Sequence, residues 1–192
     1  ESMKKCIGGV ILYDETIKQN SKSKTIPELI SSCGTVPGIK VDTGAKILAG
    51  SPDEKITEGL DGLRDRLSEY FEMGARFAKW RAVININDSI PSIGCILANT
   101  HALSRYAALC QENGLVPIVE PEVLMDGKHD INRCYDVTCQ TLDILFEQLS
   151  YQNIMLEGIV LKPNMIISGL GCLKQASIEE VADLTIKCFK EY

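Results

Sequence analysis

The chain has 192 residues, of which 45% are hydrophobic, a formal net charge of −6 and a pI near 5.0. These values predict one domain with a substantial core, and they argue against a general nucleic-acid-binding protein, which would carry a basic surface. No apolar run reaches the ~18 residues that a membrane-spanning helix needs, and residues 1–5 contain no apolar signal-peptide core. We therefore expect a cytoplasmic protein without nucleic-acid or membrane partners.

Short apolar strands alternate with longer amphipathic helices along the chain. The predicted strands are residues 7–13, 38–41, 77–84, 116–123 and 155–161. The predicted helices are residues 26–33, 60–73, 96–113 and 131–149, and a further helix begins after residue 177. Asp130 is the expected N-cap of the fourth helix, and Ser177 with Glu180 forms a capping box for the last one. Residues 18–24 are expected to form a mobile surface loop.

The β-α-β-α order predicts a parallel sheet with right-handed crossovers. Lys40, Lys79, Glu120 and Lys162 stand at successive strand ends, separated by 39, 41 and 42 residues. Equal units with a charged residue at each strand end favour an α/β fold of the (β/α)8 TIM barrel type over a doubly wound sheet, which binds ligands near one switch point. About five consecutive βα units are present, so the predicted barrel is incomplete, and residues 1–192 are expected to form a single domain.

Lys162 lies at the end of the apolar segment 156–161, where Pro163 stops the strand because it cannot donate to a β-ladder. A lysine that is desolvated at such a position has its ammonium form disfavoured, and its free amine can attack a carbonyl group. The alternative is a lysine whose head extends into solvent at a strand end. Taken alone, this residue favours the alternative.

Charged residues also lie in pairs, two positions apart, at the ends of three earlier strands, so that both members share one side of the strand. The pairs are Lys40 with Asp42, Lys79 with Arg81, and Glu120 with Glu122. Charges are costly in a barrel interior or under helices, so we expect them at the C-terminal mouth, where barrel active sites lie. Together with Lys162, the three pairs carry four positive and three negative charges, so the cluster has a net charge of +1. A positive net charge suits an anionic substrate such as a sugar phosphate. A structural ion-pair network is the alternative.

The residue types favour covalent chemistry without a metal or cofactor. His101 and His129 lie far apart and match no metal-ligand spacing. The eight cysteines contain no C-x-x-C pair and are expected to be reduced core thiols. A lysine such as Lys162 can form a Schiff base with a ketone, a neighbouring Lys79 would disfavour its ammonium form further, and a nearby carboxylate can move the protons.

Six sequence segments, taken in order, match one known family. They are Ile-Gly-Gly-Val-Ile-Leu (7–12), Gly-Ile-Lys-Val-Asp (38–42), Gly-Leu-Asp-Gly-Leu (59–63), Phe-Ala-Lys-Trp-Arg (77–81), Val-Pro-Ile-Val-Glu-Pro-Glu (116–122) and the stretch from Leu-Glu-Gly (156–158) to Leu-Lys-Pro-Asn-Met (161–165). Essentially the whole chain thereby resembles the central section of class I fructose-1,6-bisphosphate aldolase, strands two to six of its barrel. Several motifs of this specificity carry the resemblance, whereas a single short one would not.

The resemblance implies a role for each candidate residue. Lys162 would be the Schiff-base lysine, Glu120 the carboxylate that handles protons during carbinolamine dehydration, and Lys79 the lysine that supports the charge of the intermediates. The implied substrate-binding residues are Arg81, Lys40, Asp42 and Glu122. The implied reaction is the reversible, metal-independent cleavage of fructose 1,6-bisphosphate to dihydroxyacetone phosphate and glyceraldehyde 3-phosphate in glycolysis and gluconeogenesis. The full-length protein is expected to be a homotetramer.

The family's barrel has eight strands, and the resemblance does not extend to three of them. These are the first strand, with an aspartate that assists carbon–carbon cleavage, and strands seven and eight, which bind a substrate phosphate. The C-terminal tail with its tyrosine is also outside the match. Five units would leave open sheet edges. Two other interpretations therefore remain, an inactive piece that associates through those edges, and another Schiff-base barrel enzyme such as a transaldolase or a keto-acid aldolase.

We expect the 192-residue chain by itself to lack normal aldolase turnover although it contains Lys162, because the cleavage aspartate and part of the phosphate site are not in it. A coupled assay of fructose 1,6-bisphosphate cleavage by the purified chain measures this. Full turnover would contradict the expectation.

Overall fold

The structure, a computed structural model, describes residues 5–192. Its strands are β1 (Gly9–Leu12), β2 (Asn20–Ser21), β3 (Lys24–Thr25), β4 (Val36–Lys40), β5 (Gly44–Leu48), β6 (Ser51–Glu58), β7 (Phe77–Ile84), β8 (Val116–Val123) and β9 (Val160–Leu161). Its helices are α1 (Asp14–Ile17), α2 (Ile26–Ser32), α3 (Leu63–Glu72), α4 (Ile93–Glu112), α5 (Ile131–Tyr151) and α6 (Ile178–Phe189). Residues 1–4 lie outside the described residues. They belong to the segment 1–5, which was expected to contain no signal-peptide core.

The central element is a parallel sheet with the strand order β1-β4-β7-β8-β9. Successive parallel strands are neighbours, as in a (β/α)8 barrel, and the sheet is open because β1 and β9 do not pair with each other. The predicted α/β fold, an incomplete barrel of five βα units, is therefore confirmed. None of the described helices has the length and hydropathy required to cross a membrane.

Local sequence signals explain the bounds of two strands and the starts of two helices. β7 and β8 coincide with the predicted strands. The Asp130 side chain accepts a hydrogen bond from the backbone N–H of Arg133, and Ser177 forms the expected capping box with Glu180. Both predicted helix starts are confirmed, because these side chains satisfy N–H groups that the first helical turn leaves without partners.

The predicted strand 155–161 is largely wrong. Leu156–Gly158 forms a 3-10 turn, and only Val160–Leu161 pairs with β8. The side chain of Gln111 on α4 donates to the carbonyl of Met155 and accepts from its N–H. Because these backbone groups already have partners, the segment does not extend the ladder with β8.

Two hairpins were not predicted. Residues 18–24, expected to be a loop, contribute to the two-residue pairing of β2 with β3, and Lys22 adopts a positive φ of 58° in its turn. β5 and β6 form a longer antiparallel hairpin between the second and third strands of the parallel sheet. β6 is mostly polar and β5 is mostly exposed, so the hairpin lacks the apolar alternation by which a half-buried strand is recognised.

The main core lies between the parallel sheet and its helices. Trp80 in β7 is fully buried, and its ring centroid lies 5.5 Å from that of Tyr106 on α4. Ala78 and Ala82, two positions before and after Trp80, are also buried. Strand alternation therefore turns this face of β7 toward the helices, while Lys79 and Arg81 point to the opposite side.

A buried asparagine ties the unpredicted hairpin to the rest of the fold. Asn99 on α4 is 1% exposed, and its Oδ1 accepts from the N–H of Thr57 in β6. Its Nδ2 donates to the carbonyls of Lys55 and Cys95. Two of these three backbone partners, Thr57 and Lys55, lie in β6, so the Asn99 side chain attaches the hairpin to α4.

Replacing Asn99 with alanine should lower the free energy of unfolding by about 1–3 kcal/mol, because it removes the side-chain acceptor of the buried Thr57 N–H. Urea unfolding followed by circular dichroism measures the change. Asn132→Ala, at an exposed position on α5, is the matched control and should be nearly neutral. Equal stabilities of the two variants would contradict the assigned role.

Candidate active site

The strand register brings the charged residues to one edge of the sheet. Lys40 is opposite Lys79 across β4 and β7, and Arg81 is opposite Glu120 across β7 and β8. Lys162 directly follows β9, and its N–H donates to the carbonyl of Val119 at 2.8 Å. Because the strands are parallel, their carboxyl ends lie together at the edge where barrel enzymes bind substrate.

Glu120 is the centre of the cluster. Its side chain is 3% exposed. Oε1 accepts a hydrogen bond from Lys162 Nζ at 2.5 Å. Lys79 Nζ lies 2.9 Å from Oε2, an ion pair without hydrogen-bond geometry. One buried carboxylate therefore joins lysines from the two neighbouring strands.

The other predicted site residues form two further ion pairs. Arg81 Nε donates to Glu122 Oε2, and this hydrogen bond raises the pKa of Arg81 above its usual range, so the guanidinium keeps its charge. Lys40 Nζ donates to Asp42 Oδ1 at 2.5 Å and to the carbonyl of Asp42. In the part of the chain that the structure describes, no ion pair links Lys40 and Asp42 to the other five residues.

Lys162 is not desolvated in this structure and instead follows the alternative, a lysine whose head extends into solvent. Its side chain is 59% exposed, whereas that of Lys79 is 22% exposed. The cause is topological, since β9 is an edge strand of the open sheet. Lys162 is positioned by Glu120 and by its own backbone hydrogen bond rather than by an apolar environment.

Asn164 is a positioning residue that the sequence analysis did not single out. Its Oδ1 accepts from the N–H of Val123 at the end of β8, and its Nδ2 donates to Thr138 Oγ1 on α5. It thereby attaches the chain just after Lys162 to the strand that carries Glu120. A polar residue between Pro163 and the apolar Met165 was the signal that could have identified it.

Two other side chains hold the backbone of the charged strand ends. Thr57 Oγ1 donates to the carbonyl of Arg81 at 2.8 Å. The Arg66 guanidinium donates to the carbonyls of Val41 and Gly59. Val41 lies between Lys40 and Asp42, so Arg66 positions these two site residues through the main chain, as Thr57 positions Arg81. The sequence analysis predicted neither role, because each partner is more than twenty positions away in sequence.

The comparison with known proteins identifies the family. The family model "Fructose-bisphosphate aldolase class-I" matches residues 1–192. The chain belongs to this family. The resemblance inferred from the six motifs is thereby confirmed.

Individual aldolases match the chain closely. It is 62% identical over 185 residues to a probable fructose-bisphosphate aldolase class 1 of Xanthomonas axonopodis pv. citri, a match that covers 96% of this chain and 55% of that relative. It is 48% identical to fructose-bisphosphate aldolase C-B of Danio rerio, over 99% of this chain and 53% of the relative. The structure of fructose-bisphosphate aldolase from Plasmodium falciparum superimposes with a TM-score of 0.95 at 40% identity, and the match covers 99% of this chain and 56% of that one. The chain spans about half the length of the relatives it matches.

The histidines of this aldolase-family chain do not form a metal site. His101 Nδ1 is hydrogen-bonded to Gln148 Oε1 on the surface, and His129 is buried in the segment after β8. Among residues 5–192, no group of three His, Cys, Asp or Glu side chains is placed to hold a metal ion. Neither ring nitrogen of His129 has a hydrogen-bond partner among the described residues, and burial lowers the pKa of His129 from its ordinary value of 6.5.

We expect His129 to make the aldolase-family chain less stable in mild acid. The unfolded chain protonates this ring near pH 6.5 and the folded chain only at lower pH, so the unfolded state binds more protons in between. The free energy of unfolding should therefore fall as the pH drops below 6.5, by at most about 1.4 kcal/mol per pH unit. In urea unfolding across this range, His129→Gln should show a shallower slope than the parent. His101→Gln is the exposed control and should keep the parent's slope, and an unchanged slope in His129→Gln would refute the assignment.

Proposed function

We propose that the chain supplies the Schiff-base centre of a class I fructose-bisphosphate aldolase, which cleaves fructose 1,6-bisphosphate reversibly and without metal or cofactor. The observation that carries the proposal is the Glu120 carboxylate held between Lys162 and Lys79. The aldolase relatives and the matching family model support it.

Imine formation follows from the contact between Lys162 and Glu120. Glu120, within proton-transfer distance of Nζ, takes a proton from the Lys162 ammonium, which leaves a neutral amine beside a carboxylic acid. The amine attacks the C2 ketone of the sugar phosphate, and a proton passes from nitrogen to oxygen to give a neutral carbinolamine. Glu120 then donates its proton to the carbinolamine hydroxyl, which leaves as water, and the product is a protonated imine that joins C2 to Lys162.

The protonated imine then accepts the electrons of the C3–C4 bond. As that bond breaks, the C4 hydroxyl loses its proton to a base and becomes the aldehyde of glyceraldehyde 3-phosphate, while C3 becomes part of an enamine on Lys162. Protonation at C3 and hydrolysis of the imine release dihydroxyacetone phosphate and restore the lysine. Lys79, paired with Glu120 Oε2, keeps a positive charge beside the reacting centre.

The outer ion pairs are suited to the anionic ends of the substrate. Glu122 accepts a hydrogen bond only from Nε of the Arg81 guanidinium. The two terminal NH2 groups of Arg81 can therefore donate to a phosphate oxygen. Lys40, a quarter exposed, offers a second cation. Glu122 and Asp42 hold these two cations in place.

Borohydride reduction in the presence of dihydroxyacetone phosphate tests the Schiff base directly. The proposed chemistry predicts a covalent adduct at Lys162, located by peptide mass spectrometry. Lys162→Arg should abolish the adduct, because a guanidinium does not form the imine. Lys128→Arg, an exposed lysine replaced by the same residue, is the control and should leave labelling intact.

Glu120→Gln should slow adduct formation by about 10²–10⁴-fold, because an amide of the same shape cannot relay protons. Circular dichroism checks that this variant is folded. An unchanged trapping rate in Glu120→Gln would refute the assigned role of Glu120.

The same trapping experiment distinguishes the other Schiff-base enzymes. Trapping by pyruvate or fructose 6-phosphate in preference to dihydroxyacetone phosphate would favour a keto-acid aldolase or a transaldolase.

A second possibility is that the 192-residue chain is an inactive piece that associates through its strand edges. Ile11 on β1 and Val160 on β9 are 40% and 48% exposed, and within residues 5–192 both strands have an unpaired edge. Light scattering over a range of concentrations distinguishes the cases. Concentration-dependent aggregation without any lysine adduct favours association, and a labelled monomer favours the aldolase site.

The homotetramer and the cytosolic location remain proposals for the full-length protein. Location is supported by a relative from Arabidopsis thaliana, fructose-bisphosphate aldolase 6, cytosolic, which is 49% identical to this chain over 186 residues. The assembly rests on the family resemblance alone.

A further inference from the structure

Two cysteine sulfurs meet between α5 and α6, in a region that the proposed aldolase chemistry does not use. Cys139 Sγ lies 3.4 Å from Cys188 Sγ, although the residues are 49 positions apart in sequence. Cys139 is half-buried and Cys188 is buried. Both are free thiols in the structure.

We propose that Cys139 and Cys188 form a dithiol pair that a peroxide oxidises to a disulfide, linking α5 covalently to α6. The thiolate of Cys139 attacks one oxygen of hydrogen peroxide, breaks the O–O bond and becomes a sulfenic acid, while the other oxygen leaves as water after protonation. The thiol of Cys188 then attacks the sulfenic sulfur, the S–S bond forms, and a second water leaves. Two thiols and one peroxide give one disulfide and two waters.

Exposure assigns the order of the two steps. Cys139 is partly exposed, whereas Cys188 is 0% exposed, and burial raises the pKa of Cys188 to about 12. The reactive species toward peroxide is the thiolate, so Cys139 reacts first and Cys188 resolves the sulfenic acid. Closing the bond brings the sulfurs from 3.4 Å to about 2 Å, a movement within reach of side-chain rotation.

The disulfide would reinforce a helix that is packed on one side only. Ile178 and Ile186 on α6 are 85% and 53% exposed. On the packed side, Thr185 Oγ1 accepts from the N–H of Ile166, in the segment that continues from Lys162. Just beyond α6, the Tyr192 hydroxyl donates to the carbonyl of Cys139. A link at Cys188 would therefore restrain α6 together with the chain that follows Lys162.

The experiment treats the folded full chain with hydrogen peroxide, blocks the remaining thiols with an alkylating reagent, and maps peptides without reduction. We expect one predominant cross-linked peptide pair, Cys139 with Cys188, lighter than the two separate thiol peptides by two hydrogens. Hydrogen exchange should be slower in α6 of the oxidised chain than in the same chain after reduction.

Three variants make the test specific. Cys188→Ser should leave Cys139 as a sulfenic acid, which dimedone labels, and Cys139→Ser should yield neither the cross-link nor a dimedone adduct at Cys188. Cys33→Ser is the control at a half-buried cysteine and should keep the cross-link. The proposal is overturned if the folded chain gives no Cys139–Cys188 peptide, or gives only the mixture of pairings seen after oxidation in urea.

Discussion

The candidate site is built around the buried carboxylate of Glu120. A carboxylate that is removed from water is unfavourable unless cations and hydrogen bonds compensate for it. Here one oxygen faces the ammonium of Lys162 and the other faces that of Lys79. This compensation requires β8 to lie between β7 and β9 in parallel orientation, which is the observed order. The same arrangement provides an amine and a proton-transfer group in contact.

Contacts outside the cluster keep these strand ends in place. Trp80 packs against Tyr106 beneath the charged face of β7. Thr57 donates to the carbonyl of Arg81, and Asn164, two positions after Lys162, accepts from the N–H of Val123. The ion pairs at the mouth are partly exposed, and such pairs contribute little stability by themselves. Their geometry is therefore set by the packed core and by side chain-to-backbone hydrogen bonds, which is how a rigid scaffold positions a catalytic group.

Sequence patterns were reliable where one physical signal dominated. β7 and β8 are buried central strands, and their apolar runs predicted their bounds. Ser177 and Asp130 marked helix starts because capping is a local interaction. The pattern failed near Met155, where an apolar segment looked like a strand but the Gln111 side chain from α4 had occupied its backbone groups. It also missed the hairpin of β5 and β6, in which the backbone of β6 is bonded to Asn99, a contact that links residues more than forty positions apart.

The sequence by itself determined the family, the parallel order of βα units and the charged residues of the candidate site. The family follows from the motifs, the βα order from the hydrophobic periodicity and the site residues from the spacing of the strand ends, and all three can be read directly from the sequence. Only the tertiary structure decided how those charges pair. It joined Lys162 and Lys79 through Glu120, matched Arg81 with Glu122, and left Lys40 with Asp42 as a separate pair. It also showed Lys162 exposed at a sheet edge rather than desolvated. The physical reason is that pairing and burial depend on strand register and on what covers each strand, and neither is encoded in a residue's immediate neighbours.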